Sequence, residues 1–292
     1  MNRSEGTPSP GPSAAQIAAT IALLGDDRDV IRTAARERLL RWGEAALPQL
    51  QEGAEAEHVP TRLQCRGVLR AVEVRDCLQR FARLELDRGG RRSAPALLEG
   101  AVLLSKMVRT FVPDAGDLAV RLRREAGALK DLFAGRSLPT RARLLAERLH
   151  EQFGLGGRDA SPVDLDHCMI DRVLDRRIGV PVTLSLIYLL VARWAGLSVS
   201  GVAMPDHFLV RLHGVRPVLV DPYHGGRTVT KADCGRHLRA NGYDHVSEHL
   251  RDLTDRELLI HYLQALRRAA GRQRRAETQA TLGHALALLE TT

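Results

Sequence analysis

A histidine and an aspartate stand close together in residues 175–223, DRRIGVPVTLSLIYLLVARWAGLSVSGVAMPDHFLVRLHGVRPVLVDPY. His207 opens the apolar segment HFLVRL and Asp221 closes the segment PVLVD. A carboxylate that holds one imidazole nitrogen leaves the other to act as a base, which is the acid–base half of nucleophilic acyl transfer. The missing half is a thiol or activated hydroxyl at the start of a buried helix, where backbone N–H groups favour an anion. Here that helix begins Pro181, Val182, Thr183 and has no cysteine at its start. Thr183 is the hydroxyl in that first turn; were it a nucleophile, His207 would be its base and Asp221 the acid that orients the imidazole. An alkanol needs much tighter basic activation than a thiol. Thr183 is expected instead to be a first-turn residue hydrogen-bonded to backbone. Ser185 is two positions further along and rotated to another helix face.

Further candidates lie around this stretch. Cys168 neighbours His167 but precedes Thr183 on a different helix, so a buried, inert thiol is expected there. His224 follows Asp221 in a turn and is placed to line the same cleft, where Arg176 and Arg177 could bind an anion. The arginines could equally pair with Asp171 and Asp175. His167, His207, His213 and His224 show no HxxxH, CxxC or paired-carboxylate spacing on a single element, so neither a metal nor a cofactor is expected.

The elements that must position these groups are legible in the punctuation. Gly179 stops one short helix, about Cys168 to Arg176, and Pro181 starts the next. Residues 182–195 are apolar nearly all round, which predicts a central buried helix ending at Gly196. LSVSGVA, HFLVRL and PVLVD read as three short strands, the last two joined by the turn HGVRP. Upstream, helices are expected over Ala94–Arg109, Ala115–Phe133 and Pro139–Phe153, then a long turn at GLGGRDASPVD. Downstream come a helix bearing Cys234 and Leu238, then a hairpin of helices Asp255–Ala269 and Ala276–Leu289, opened by a capping box at Thr254 and Glu257.

The first part of the chain reads differently. After a polar tail rich in Pro, Gly and Ser over residues 1–13, residues 14–88 carry helical spacing with short breaks. In VIRTAARERLLRW, Ile31, Ala34, Ala35, Leu39 and Trp42 share one face, with Asp29 placed to cap the start. LGDDRDVIRTAARERLLRWGEAALPQL resembles a HEAT-type unit. Two such units bury little alone, so this piece should pack on the next part of the chain. ELDRGGRRS, residues 85–93, reads as a linker.

Composition bounds the function. The net charge of +8 is carried almost wholly by arginines mixed with acids along helices, and aromatics are only 4% of residues. Nucleic-acid binding would require a clustered basic stripe, so none is expected. Four widely spaced cysteines without a secretory signal suggest reduced thiols in a cytoplasmic protein, and the run Val182–Ala192 is too short to span a bilayer.

Three ordered motifs together resemble the SirB-type family of transglutaminase-like proteins. They are RIGVPVTL at the helix start, GVAMPDHF at the second strand and DPYHGG at the turn, within a similarity running from about Leu97 to the C-terminus. The resemblance implies an α+β, transglutaminase-like (papain-like) core over residues 94–250, with a central helix packed on a small antiparallel sheet. The HEAT-like segment precedes it, and a tetratricopeptide-like hairpin over 251–292 comes after. It also implies that His207 and Asp221 occupy the triad positions of histidine and acid, while Thr183 stands where active transglutaminases carry cysteine. SirB-type members generally have Thr or Ser there. The chain departs from the family at Ala203 and Asp206, where glycine is usual. The expected function is non-catalytic binding of a protein or peptide. The alternatives are a hydrolase or acyltransferase using Thr183, His207 and Asp221, and a structural scaffold. The sequence leaves the partner and the oligomeric state open.

Overall fold

A computed structural model of the chain describes residues 11–87, 93–157, 164–244 and 247–290. The chain divides into two compact units, Met1–Cys77 and Leu78–Thr292. Most of the expected tail and linker and part of the GLGGRDASPVD turn lie outside the described residues.

The first unit consists of helices α1 (Ala14–Ala22), α2 (Asp29–Trp42), α3 (Leu47–Gly53) and most of α4 (Val59–Ala82). Ile17, Ile21, Leu24, Leu39, Leu50 and Cys65 bury together, because apolar residues recur on one face of each helix. Asp29 does not cap α2. It is the first helical residue and pairs with Arg32, while Asp26 accepts the backbone N–H of Arg28 at 2.8 Å.

The second unit adds helices α5 (Ala94–Val108), α6 (Ala115–Lys130), α7 (Leu138–Ala146), α8 (Ile170–Arg176) and α9 (Pro181–Trp194). One π-helical turn, Glu147–Gln152, continues α7. Pro181 opens α9 at the position where a missing N–H costs no hydrogen bond. Val182 through Ala192 are all buried, and α9 packs against α5, α6, α8 and two strands, which its all-round apolar surface requires. Gly196, at φ +88°, turns the chain out of the helix.

Four strands then form one antiparallel sheet in sequence order: β1 (Val199–Met204), β2 (His207–Leu212), β3 (Val218–Asp221) and β4 (Arg227–Val229). β4 was not among the expected strands. Helix α10 (Lys231–Ala240) covers one face of the sheet, packing Cys234 and Leu238 on Val202, Met204, Leu209 and Leu219. The hairpin α11 (Asp255–Arg272) and α12 (Ala276–Glu290) closes the unit. Thr254 and Glu257 form the expected capping box at its entry. Among the described residues no helix is long and apolar enough to cross a membrane.

Candidate functional site

Sheet register brings His207 and Asp221 together. Val210 pairs with Val220 across β2 and β3, so Asp221 falls opposite Leu209 and shares its face with His207, two residues along. His207 Nε2 stands 3.0 Å from Asp221 Oδ1, with the side chains 13% and 2% exposed. This buried nitrogen has no partner beyond the Asp221 carboxylate among the described residues.

The turn after β3 adds a second imidazole. Asp221 Oδ1 accepts the backbone N–H of His224 at 3.2 Å, and Oδ2 lies 2.8 Å from His224 Nδ1. Asp221 thus stands between two histidines whose ring centroids are 5.3 Å apart. Burial pushes its carboxyl upward, but His207 and then His224, through hydrogen bonding and charge, outweigh that and hold it at about 2. Gly225 and Gly226, both at φ +73°, let the turn fold back so that Gly226 N–H reaches the Asp221 carbonyl at 2.8 Å.

Thr183 does not join this pair. It is 0% exposed, and its Oγ1 donates a 2.8 Å hydrogen bond to the Cys168 carbonyl. The hydroxyl that sequence makes the candidate nucleophile is spent on backbone, because the residue faces the α8 side of the helix start rather than the sheet. Ser185 is spent likewise: its Oγ donates to the Phe208 carbonyl at 3.2 Å and ties α9 to β2. Cys168 is buried, and burial pushes its thiol up to about 12, far from any thiolate.

The two arginines expected near the cleft go elsewhere. Arg176 pairs with Asp166 at 2.5 Å, and Arg177 lays its guanidinium 3.6 Å from the centre of the Phe153 ring. Neither pairs with Asp171 or Asp175, which are held by Arg109 and Arg121. Arg177 also closes α8 with a left-handed φ of +67°, and burial lowers its pKa. Asp206, where the family resemblance expects glycine, sits at φ +55° in the β1–β2 turn, so the backbone itself accounts for that preference.

A second polar cluster escapes the sequence. Ser200 Oγ donates to Asp252 Oδ1 at 2.7 Å and lies 2.9 Å from His213 Nε2. The residue types suggest a Ser–His–Asp triad, but the acid contacts the hydroxyl rather than the far imidazole nitrogen, so no relay forms. Its partners span 52 residues of sequence, and no local spacing announces it. Nearby, a groove of about 620 Å³ is lined by Arg211, His213, Val218, Val229, Lys231 and Asp252, and by none of His207, Asp221 or His224.

A central apolar helix against a small antiparallel sheet, with a histidine and an acid at facing strand ends, defines a transglutaminase-like domain. Residues 114–264 match the transglutaminase-like superfamily, more than half of the chain, and the chain belongs to that family. It is 35% identical over 92 residues to a UPF0162 protein of Xylella fastidiosa (strain 9a5c), covering 31% of this chain and 33% of that one. A UPF0162 protein of Vibrio cholerae is 30% identical over 136 residues, 45% of this chain and 50% of its own. F-box only protein 21 of Mus musculus is 30% identical over 108 residues, 32% of this chain and 17% of its own. The chain thus spans half or less of the length of these relatives. No solved structure matches it significantly.

Proposed function

We propose that this chain is a SirB-type transglutaminase-like module that binds a protein or peptide and performs no acyl transfer. The observation that carries this reading is the Thr183 hydroxyl, fully buried and donated to the Cys168 carbonyl. Acyl transfer needs a nucleophile in hydrogen-bond reach of its base, and Thr183 Oγ1 makes no such bond with His207. In this reading His207 and Asp221 are retained as a polar anchor. The groove beside β4, the last strand of the sheet, offers a partner both an edge and a mixed polar and apolar wall. The HEAT-like segment at 14–88 and the tetratricopeptide-like hairpin at 251–292 each offer helical surface of their own, beside the core at 94–250 in sequence. The partner is a protein or peptide rather than nucleic acid or a membrane, and the setting is the cytoplasm.

The reading is tested by screening the full chain against activated esters, amides and peptides alongside Thr183→Ala and His207→Ala. No turnover above buffer in any of the three is expected. A reaction present in the parent and lost in both variants would establish the competing hydrolase or acyltransferase with a Thr183–His207–Asp221 triad.

A further inference from the structure

Asp221 also belongs to a cluster of donors that acyl transfer does not use. One ring nitrogen from His207, one from His224 and a carboxylate oxygen of Asp221 all lie within 4.8 Å of one another. These are three donors from two strand ends and one turn, gathered by folding although no local spacing announces them. Two imidazoles and a carboxylate are the donor set that suits zinc and its first-row neighbours.

Two buried polar atoms lie in this region of the fold. His207 Nε2 is buried with only the Asp221 carboxylate, 3.0 Å away, to face. Tyr188 Oη, on a fully buried side chain of α9, has no partner among the described residues. That hydroxyl points at the turn: a Cβ on Gly226 would come within 3.0 Å of it. A buried hydroxyl without a partner is a cost, and it lies against Gly226, in the turn that carries His224.

We propose that His207, Asp221 and His224 bind a divalent first-row transition metal ion such as zinc. Donors about 2.0–2.1 Å from a tetrahedral ion stand roughly 3.3 Å from one another. The present nitrogen–oxygen separations of 3.0 and 2.8 Å run to the two different carboxylate oxygens, and the three donors lie within 4.8 Å of one another, so the rings must turn inward to meet one ion. Each neutral imidazole would bind the ion through the nitrogen facing the carboxylate and carry its ring proton on the other nitrogen. His224, 45% exposed, provides the way in from solvent. The open positions on the ion would take water. Arg227 Nε approaches Asp221 Oδ2 at 3.5 Å, but its side chain is 62% exposed and free to swing outward.

The proposal is independent of whether the module binds a peptide, and its test reads the metal alone. The full chain, stripped with a chelator, is titrated with Co²⁺ while visible d–d absorption is followed, and Zn²⁺ is then added as competitor. One saturable site per chain, displaced by Zn²⁺, is expected. His224→Ala should weaken it at least about tenfold, while His284→Ala, on the exposed face of α12, leaves it unchanged. Because His224 is in a half-exposed turn, circular dichroism of His224→Ala should match the parent. A Zn²⁺-dependent rise in melting temperature should appear in the parent and vanish in that variant. Absence of a cobalt spectrum in the parent, or equal affinity in the parent and His224→Ala, overturns the assignment.

Discussion

Thr183 Oγ1 donates its hydrogen bond to the carbonyl of Cys168, fifteen residues earlier, at 2.8 Å and out of contact with solvent. This one bond joins the start of α9 to the segment that leads into α8. It also removes from chemistry the hydroxyl best placed in sequence to react. The same residue type in the same position thus serves the fold, while His207 and Asp221 remain paired without it.

Thr183→Val should destabilise the chain by about 1–3 kcal/mol, because the Cys168 carbonyl is left buried without a donor. Thr183→Ser keeps the donor and should cost less. Urea denaturation of the two variants against the parent checks this, and equal midpoints for Val and Ser would remove the bond from the account.

The Asp221 carboxyl is held at about 2, below its ordinary 3.8, after His207 and His224 overcome the opposing effect of burial. Its folded-state pKa is depressed, so its contribution is present above pH 3.8 and is lost as pH falls from there towards 2. The contribution is about 2 kcal/mol by linkage. Stability measured against pH should therefore fall more steeply across that window in the parent than in Asp221→Asn.

Arg193 at the end of α9 and Asp255 at the start of α11 form a bidentate pair at 2.7 and 2.6 Å, with side chains 8% and 1% exposed. Asp255→Ala strands a buried guanidinium and should cost about 3–5 kcal/mol. The double replacement Arg193→Met with Asp255→Leu should recover much of that loss in thermal unfolding.

Gly226→Ala should destabilise by about 1–3 kcal/mol through overpacking. Its φ is +73°, and the new Cβ would lie 2.6 Å from the Cβ of Ala146. The variant's melting temperature should fall well below that of a Gly116→Ala control, a position with open space around it.

Much of the site-bearing domain was legible because its signals are local. Gly179, Pro181 and Gly196 bracket the central helix, and α9 runs from Pro181 to Trp194 as the apolar run predicts. His207 and Asp221 could be paired from strand ends alone. What escaped depends on contacts that sequence spacing does not encode. β4 is three residues, Arg227, Thr228 and Val229, too short and too exposed to show alternation. The Ser200–His213–Asp252 cluster joins β1 to a segment beyond α10, and Arg176 and Arg177 meet Asp166 and Phe153, from segments before α8. That Thr183 would bond to backbone was expected from its first-turn position; only the particular carbonyl, that of Cys168, was hidden, because it comes from a neighbouring segment.

The most direct test of the account is the intact mass of the chain after incubation with an acyl phosphonate probe that labels activated hydroxyls and thiols. The native parent should show no adduct, and Cys168, pushed up to about 12 by burial, should react only after unfolding. A stoichiometric adduct on Thr183 in the native parent, abolished by His207→Ala, would contradict it.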